Sequence, residues 1–277
     1  MQVEGIISNP ITQDIKRLGH LTIRFSTDGF SILVSDASYK PVFLKNYVYD
    51  PAVAASIFPS ECARILEEQQ LLDFEGESIF VLDALSSSVV PQQLFDLSYS
   101  RSLLSKTAEL KESDVVTHRY VRDRDLNIVY SIPAEIEALK DKIKGRVQII
   151  HSSECLLSLS DQVQASDHQR GFILAEVQHY KLEILVILED RVKLLNAYAL
   201  KDPSNFIYHT LNTLKQLNLD RETIPVYLSG IVHPEHELFG LMGKYIRQVK
   251  TTPYYLEGLS RTQMLRFMIL SEGSKCA

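Results

Sequence analysis

His20-Leu21-Thr22-Ile23-Arg24-Phe25 and, much later, Phe172-Ile173-Leu174-Ala175-Glu176-Val177 each open a run of three apolar segments. The first run ends at Asp50-Pro51 and the second at Asp202-Pro203, an offset of 152 residues from 50 to 202 and from 51 to 203. Each Asp-Pro pair starts a predicted helix, since Asp suits an N-cap and Pro the first helical position, where its missing N–H is not needed. A short strand follows in both runs, at Ile79–Leu82 and at Val226–Leu228, and then a Pro-led helix, with Leu94-Phe95 answered by Leu238-Phe239. A repeat of this period fixes the architecture before any single residue is assigned a role.

Working outward, Leu21, Ile23 and Phe25 alternate with polar residues, as a half-buried strand should. Thr27-Asp28-Gly29 reads as a hairpin turn in which Gly takes the positive φ of such loops. Phe30–Ser35 and Val42–Tyr49 complete an antiparallel meander, and residues 1–19 read as an irregular lead-in. The helix after Pro51 is expected to break at Pro59-Ser60 and resume through Ile65, Leu66 and Leu72. In the second run, Phe172–Val177, Leu182–Leu188 and Arg191–Leu200 are strands, and Phe206, Ile207, Leu211, Leu214 and Leu217 mark an amphipathic helix led by Pro203. Between the runs, Val115–Val121 and Asn127–Ser131 form a predicted hairpin, Pro133–Lys144 a helix, and Val147–Ile150 a strand. Ser153 caps a leucine-rich helix there. The polar stretch Gln164–Gln169 is the expected linker.

At 277 residues the chain suits two half-size lobes better than one core. A division at 1–165 and 166–277 is expected, with a small subdomain inserted around 98–145. A net charge of -6 and a pI near 5.8 speak against nucleic acid as a partner. The one basic stretch, Arg119, Arg122 and Arg124, is interleaved with Asp123 and Asp125 and reads as a solvated hairpin. Cys62, Cys155 and Cys276 are too few and too scattered for a disulfide framework or a zinc knuckle. No apolar window reaches the ~20 residues of a membrane span, and the start has no signal-peptide core. A cytoplasmic protein of a bacterium-like cell, not inserted into a membrane, is the expectation.

Three meander strands, a helix, a strand and a helix, repeated, resemble the actin-like ATPase fold, a duplicated α/β architecture of mixed sheets built on the ribonuclease H-like unit. The middle block is similar to a stretch of the pilus-assembly and cell-division actin relatives. There Asn127–Pro133, a helix, Gly145, Val147–Ile150 and Ser153–Leu157 lead through a small subdomain into the crossing helix of the first lobe. The resemblance spans residues 20 to 250 and extends to a family of uncharacterised bacterial proteins with this fold.

The resemblance implies an ATP site between the lobes, built on the first hairpin of each repeat, where an Asp-x-Gly-x-x-x-Thr type pattern is expected. The Asp organises the metal, the Gly lets backbone N–H groups reach phosphate, and the Thr supplies a hydroxyl. Here those three positions hold Arg24, Ser26 and Phe30 in the first copy and Glu176, Gln178 and Leu182 in the second. Arginine cannot hold a metal, and side chains at both Gly positions obstruct phosphate. The glycine cluster that contacts adenosine in the family is reduced to Ser229-Gly230. Arg24, Ser26, Glu176, Gln178, Ser229 and Gly230 are therefore read as a vestigial nucleotide cleft, with no catalytic residue and no cofactor. Across that cleft Arg24 and Glu176 are placed to pair, or else to point separately to solvent.

Other chemistry is thinner. His233-Pro234-Glu235-His236 offers two imidazoles, but no third ligand stands at metal spacing, and capping explains Pro234 and Glu235. A two-metal nuclease of the same fold needs several converging carboxylates, and Arg24 occupies its first-strand position. Ser86-Ser87-Ser88 reads as a loop with no base beside it. Met264, Leu265, Phe267, Met268, Ile269 and Leu270 form an apolar final helix that packs onto one lobe or forms a dimer or partner contact. The expected function is a non-catalytic interaction or scaffolding role with an unknown protein partner, and a homodimer is possible. The rival is a nucleotide-binding ATPase with an atypical phosphate site organised by Glu176.

Overall fold

The computed structural model describes residues 2–83, 87–106, 109–168 and 170–276, with the side chains of 51–57 left aside. The first two strands of each meander are buried on both faces. In the first, β1 (Gln2–Ser8), α1 (Gln13–Leu18), β2 (His20–Ser26), β3 (Gly29–Ser35), β4 (Pro41–Val48), α2 (Pro51–Glu68) and β5 (Glu77–Leu82) follow in order. The segment β6 (Ser87–Pro91), α3 (Ser100–Leu104), β7 (Val115–Val121), β8 (Leu126–Ile132) and α4 (Ala134–Lys140) comes next, then β9 (Val147–His151) and α5 (Ser152–Asp167). The second set is β10 (Gly171–Val177), β11 (Lys181–Leu188), β12 (Arg191–Ala199), α6 (Asn205–Gln216), β13 (Val226–Gly230), α7 (Glu237–Met242), β14 (Val249–Thr251) and α8 (Arg261–Gly273).

The six-stranded sheet has the order β1-β4-β3-β2-β5-β9 and the five-stranded sheet β12-β11-β10-β13-β14. From β4 and from β12 onward the two orders are the same, antiparallel through the meander and parallel at β2–β5–β9 and β10–β13–β14. A third sheet, β6-β8-β7, carries the segment between β5 and β9. Leu21, Ile23, Phe30, Phe80 and Ile150 lie in the larger core, and Ile173, Ile184, Phe206 and Leu228 in the core of the second sheet.

α5 and α8 pack against each other between the sheets, and α8 also lies against β13 of the second sheet and β2, β3 and β5 of the first. Leu265, Phe267, Met268, Ile269 and Leu270 are all buried there. The apolar C-terminal segment thus serves both sheets rather than one, and its apolar residues are not an outer surface. An apolar run such as Leu265–Leu270, broken only by Arg266, is what a position covered from two sides requires.

Several local expectations change. Residues 2–18 are not irregular: β1 pairs with β4 and α1 is capped by Thr12, though β1 exposes most side chains and so lacks the alternation that marks a strand. α2 runs through Pro59 without a break. Pro91 ends strand β6, and only a single turn of 3-10 helix at Gln92–Leu94 stands where a Pro-led helix was expected. The helix after Pro133 stops at Lys140, α6 begins at Asn205, and α7 begins at Glu237 with His236 as its cap, so Pro234 precedes it. α5 continues to Asp167, through most of the expected linker. Ser87 and Ser88 belong to β6, while Ser86 lies outside the described residues. Gly29 has no positive φ; a Cβ there would sit 1.9 Å from the Tyr47 carbonyl oxygen, so close approach to β4 is the reason for glycine.

Candidate functional site

β2 and β10 are the central strands of the two sheets, and their C-terminal ends meet. Their neighbours β5 and β11, together with the start of α5, bring further polar side chains to the same place. Arg24 on β2 donates from Nε to Asp83 Oδ2 at 2.9 Å and from Nη2 to Glu176 Oε1 at 2.9 Å, and a second, short contact joins it to Asp83. Gln178 Nε2 donates to Glu176 Oε2 at 2.9 Å and also to Asp83. Lys181 Nζ reaches Asp83, Glu183 Oε2 at 3.0 Å and Ser152 Oγ at 3.0 Å. Ser152 Oγ donates to Glu183 Oε2 at 2.8 Å, and Ser153 Oγ to Glu183 Oε1. His151 Nδ1 lies 3.0 Å from Ser153 Oγ and accepts from the Ser153 N–H. All of these side chains are buried, Lys181 at 0% exposure.

Two cations and three carboxylates thus share one buried volume, and burial penalises every one of them unless paired. For Asp83, burial pushes the carboxyl up, but Arg24 and Lys181 outweigh it and hold it well below the usual range. Burial also raises Glu183, which Lys181 and then His151 bring below its ordinary value. Glu176 moves the other way: burial, with Asp83 nearby, exceeds the pull of Arg24 and leaves its carboxyl raised. Burial works against the charges of Arg24 and Lys181, yet their carboxylate partners hold both more firmly protonated than in water. Of the three carboxyls, Glu176 is therefore the one that takes up a proton most readily.

The residues singled out from the sequence divide into two groups. Arg24, Glu176 and Gln178 meet in the cluster. Ser26 instead closes its own turn, donating to Asp28 Oδ1 at 3.0 Å and to the Gly29 carbonyl at 3.1 Å. Ser229 faces the backbone, 3.5 Å from the Ala175 carbonyl oxygen. Gly230 has φ of +82°, and a Cβ on it would come 2.0 Å from the Val177 carbonyl oxygen, so it is glycine for its positive φ and its close approach to Val177 at the end of the parallel β10–β13 pair. Phe30 and Leu182, at the two hydroxyl positions, lie in the two cores.

Ser26, Arg24, Glu176, Gln178, His179 and Gly230 line the remaining cleft, a cavity of about 50 Å³. Its mouth is spanned by Asp28 and His179, one from each hairpin turn, at 3.3 Å. Ligand pockets run from roughly 300 to 1,000 Å³. Among the described residues no group of three or more His, Cys, Asp or Glu side chains is placed to hold a metal. His236 caps α7 through Nδ1, accepting from the Leu238 N–H at 3.2 Å.

Asp83, Lys181, Glu183, Ser152 and His151 were not anticipated as members of the cluster. Their signal was present: Lys181-x-Glu183 and Glu176-x-Gln178 put charged or polar pairs on one face of strands that are otherwise apolar on both. Ser153 does not cap its helix. The cap is His151, in a capping box with Glu154, which frees the Ser153 hydroxyl for Glu183.

With this geometry in view, comparison with solved structures gives the fold a name. The chain is similar to a Bacteroides thetaiotaomicron VPI-5482 protein of actin-like ATPase fold and unknown function, at 19% identity and TM-score 0.73, covering 87% of this chain and 93% of that one. It is similar to a chain of the PilM-PilN type IV pilus biogenesis complex at 11% identity and TM-score 0.59, covering 93% and 98%. A third likeness is to the ethanolamine utilization protein EutJ from Carboxydothermus hydrogenoformans, at 10% identity and TM-score 0.52, covering 98% and 92%. At these identities the likeness establishes the fold, which is that of the actin-like ATPases. No curated protein matches the sequence. Residues 8–249 match the model of a family described as protein of unknown function, DUF3822, and the chain belongs to that family.

Proposed function

We propose that this is an internally duplicated actin-like protein whose nucleotide cleft is filled by its own side chains, and that it acts by binding another protein rather than by hydrolysing ATP. The observation that carries the reading is Arg24. It stands where a metal-organising acid is expected, and its guanidinium occupies the cleft, bonded to Asp83 on one side and Glu176 on the other. A magnesium–triphosphate would need those carboxylates and that space, and about 50 Å³ remains. Arg24 and Glu176 are 152 positions apart, the offset of the sequence repeat, and the two sheets share strand order, which supports duplication about a pseudo-twofold axis through this pair.

Two lobes divided near residue 165, with the third sheet as an insertion in the first, fit this history. The PilM neighbour was solved as a complex with PilN, which suits a binding role for the fold. No described helix is long and apolar enough to cross a membrane. Buried thiols at Cys62 and Cys155 favour a reducing, cytoplasmic setting, and the named neighbours favour a bacterial one.

The test is thermal denaturation with magnesium and ATP. A ligand present at one hundred times its Kd stabilises by about 2.7 kcal/mol, which is roughly 5–10 °C in a protein of this size. The expected shift is below about 1 °C on the same scale. A shift of several degrees that disappears in Glu176→Ala overturns this reading in favour of a nucleotide-binding protein with an atypical phosphate site.

A further inference from the structure

The two parallel edge strands of the sheets, β9 and β14, are finished differently. In β9, Arg146 accepts from the Ser78 N–H, so alternate residues face β5 and Ile149 turns its backbone outward. That outward carbonyl is met by the Tyr130 hydroxyl of the third sheet at 3.0 Å. In β14, Gln248 accepts from the Val226 N–H and Thr252 donates to the Leu228 carbonyl. Val249 and Thr251 therefore turn their N–H and C=O groups away from β13, and no other described segment hydrogen-bonds to them. The second set has only the short α7 where the first has a whole covering sheet.

Beside this open edge lies a cleft of about 430 Å³. Its apolar walls include Pro234, Phe239, Val249 and Pro253, and its cations are Lys250 and Arg261. Lys250 is paired with Asp167 at 2.7 Å. Arg261 donates to Thr251 Oγ1 at 2.8 Å and has no carboxylate partner among the described residues. It is the first residue of α8, where the helix dipole disfavours a cation, so local helix stability does not explain it. In a chain of net charge -6, residues 240–266 hold Lys244, Arg247, Lys250, Arg261 and Arg266 against the single acid Glu257.

We propose that β14 is a docking edge that takes an extended, acidic peptide segment of a partner protein as a sixth strand. The peptide backbone pairs with Val249 and Thr251, its apolar side chains enter the cleft, and a Glu or Asp is received by Arg261. This inference rests on the binding role above and locates it.

The probe is a phage-displayed library of random dodecapeptides selected on the immobilised full chain. Thr251→Pro and Arg261→Glu serve as controls. The proline removes the outward N–H and the Oγ1 that accepts from Arg261 while leaving the backbone bonds to β13 in place, and circular dichroism verifies that both variants are folded. Sequences rich in Glu or Asp and in β-branched residues should be enriched at least tenfold on the natural chain over either variant. Equal enrichment on all three proteins, enrichment of basic sequences, or none at all overturns the proposal. So does light scattering that shows a dimer abolished by Thr251→Pro, which would make a second copy the occupant. The ATP measurement is independent: a chain that takes neither ATP nor peptide fails this inference alone, whereas one that binds ATP fails the binding role on which it rests.

Discussion

Arg24 and Lys181 each hold two buried carboxylates, and the consequence of losing either follows from that arrangement. Arg24→Met leaves Asp83 and Glu176 facing one another without a cation between them. Removing one member of a buried ion set typically destabilises by about 3–5 kcal/mol, because the survivors stay desolvated. Urea denaturation should show a loss of that order, whereas Arg24→Met combined with Glu176→Leu recovers at least half of it. A loss below about 1 kcal/mol for the single variant would mean that the cluster is hydrated and the cleft open. Gly230 makes a second residue-scale case. Were it an adenosine contact, Gly230→Ala would leave folding untouched. With φ at +82° and the Val177 carbonyl 2.0 Å from the new Cβ, the same change should cost about 2 kcal/mol or more in the same assay.

The start of α5 shows how one element is tuned and how much of it the sequence discloses. Glu154 closes the capping box by accepting the His151 N–H at 3.1 Å, and it lies 3.2 Å from Arg119. Burial dominates over that hydrogen bond and over half-exposed Arg119, so its carboxyl is pushed up to about 7. A group whose folded-state pKa is raised stabilises the fold while protonated, and that contribution is lost as pH rises from the unfolded value near 4.5 through 7. The loss is about 3 kcal/mol at 1.36 kcal/mol per unit. Stability measured between pH 5 and 8 should therefore fall with pH, and Glu154→Gln should flatten the slope; an unchanged slope assigns the effect elsewhere. The helix itself was legible, because leucines at helical spacing announce it. Its cap was not, since Ser153 is of the preferred N-cap type and His151 is not, while in the structure the Ser153 hydroxyl is taken by Glu183 on β11 and His151 caps the helix. Likewise β1 was missed because an edge strand with solvent on its side chains carries no period-2 pattern, and the Pro-led helix near Leu94 failed because Ser87–Pro91 was needed to pair with β8. The cluster was half legible: Arg24, Glu176 and Gln178 stand out against a repeat, while Lys181, Glu183 and Ser152 acquire meaning only when two sheets converge.

At the scale of the molecule, the sheets are joined through α5, α8 and the charges between them, with the Asp28–His179 pair at the cleft mouth. α8 is an apolar link, for Met268 and Ile269 lie in the larger core, the helix lies against strands of both sheets, and Gly273 is packed so closely on β5 that a Cβ would fall 2.5 Å from the Val81 side chain. Truncation after Ser260 would uncover Phe267, Met268, Ile269 and Leu270 together with the sheet surface beneath them, and each such side chain contributes about 1.5–3 kcal/mol by burial. For those four side chains that is about 6–12 kcal/mol, comparable to the roughly 5–15 kcal/mol that holds a typical domain folded. The truncated chain should accordingly lose cooperative unfolding and bind a dye specific for exposed apolar surface. Retention of a sharp transition would show that the two sheets are stable without the helix, and that α5 and the polar cluster suffice to join them.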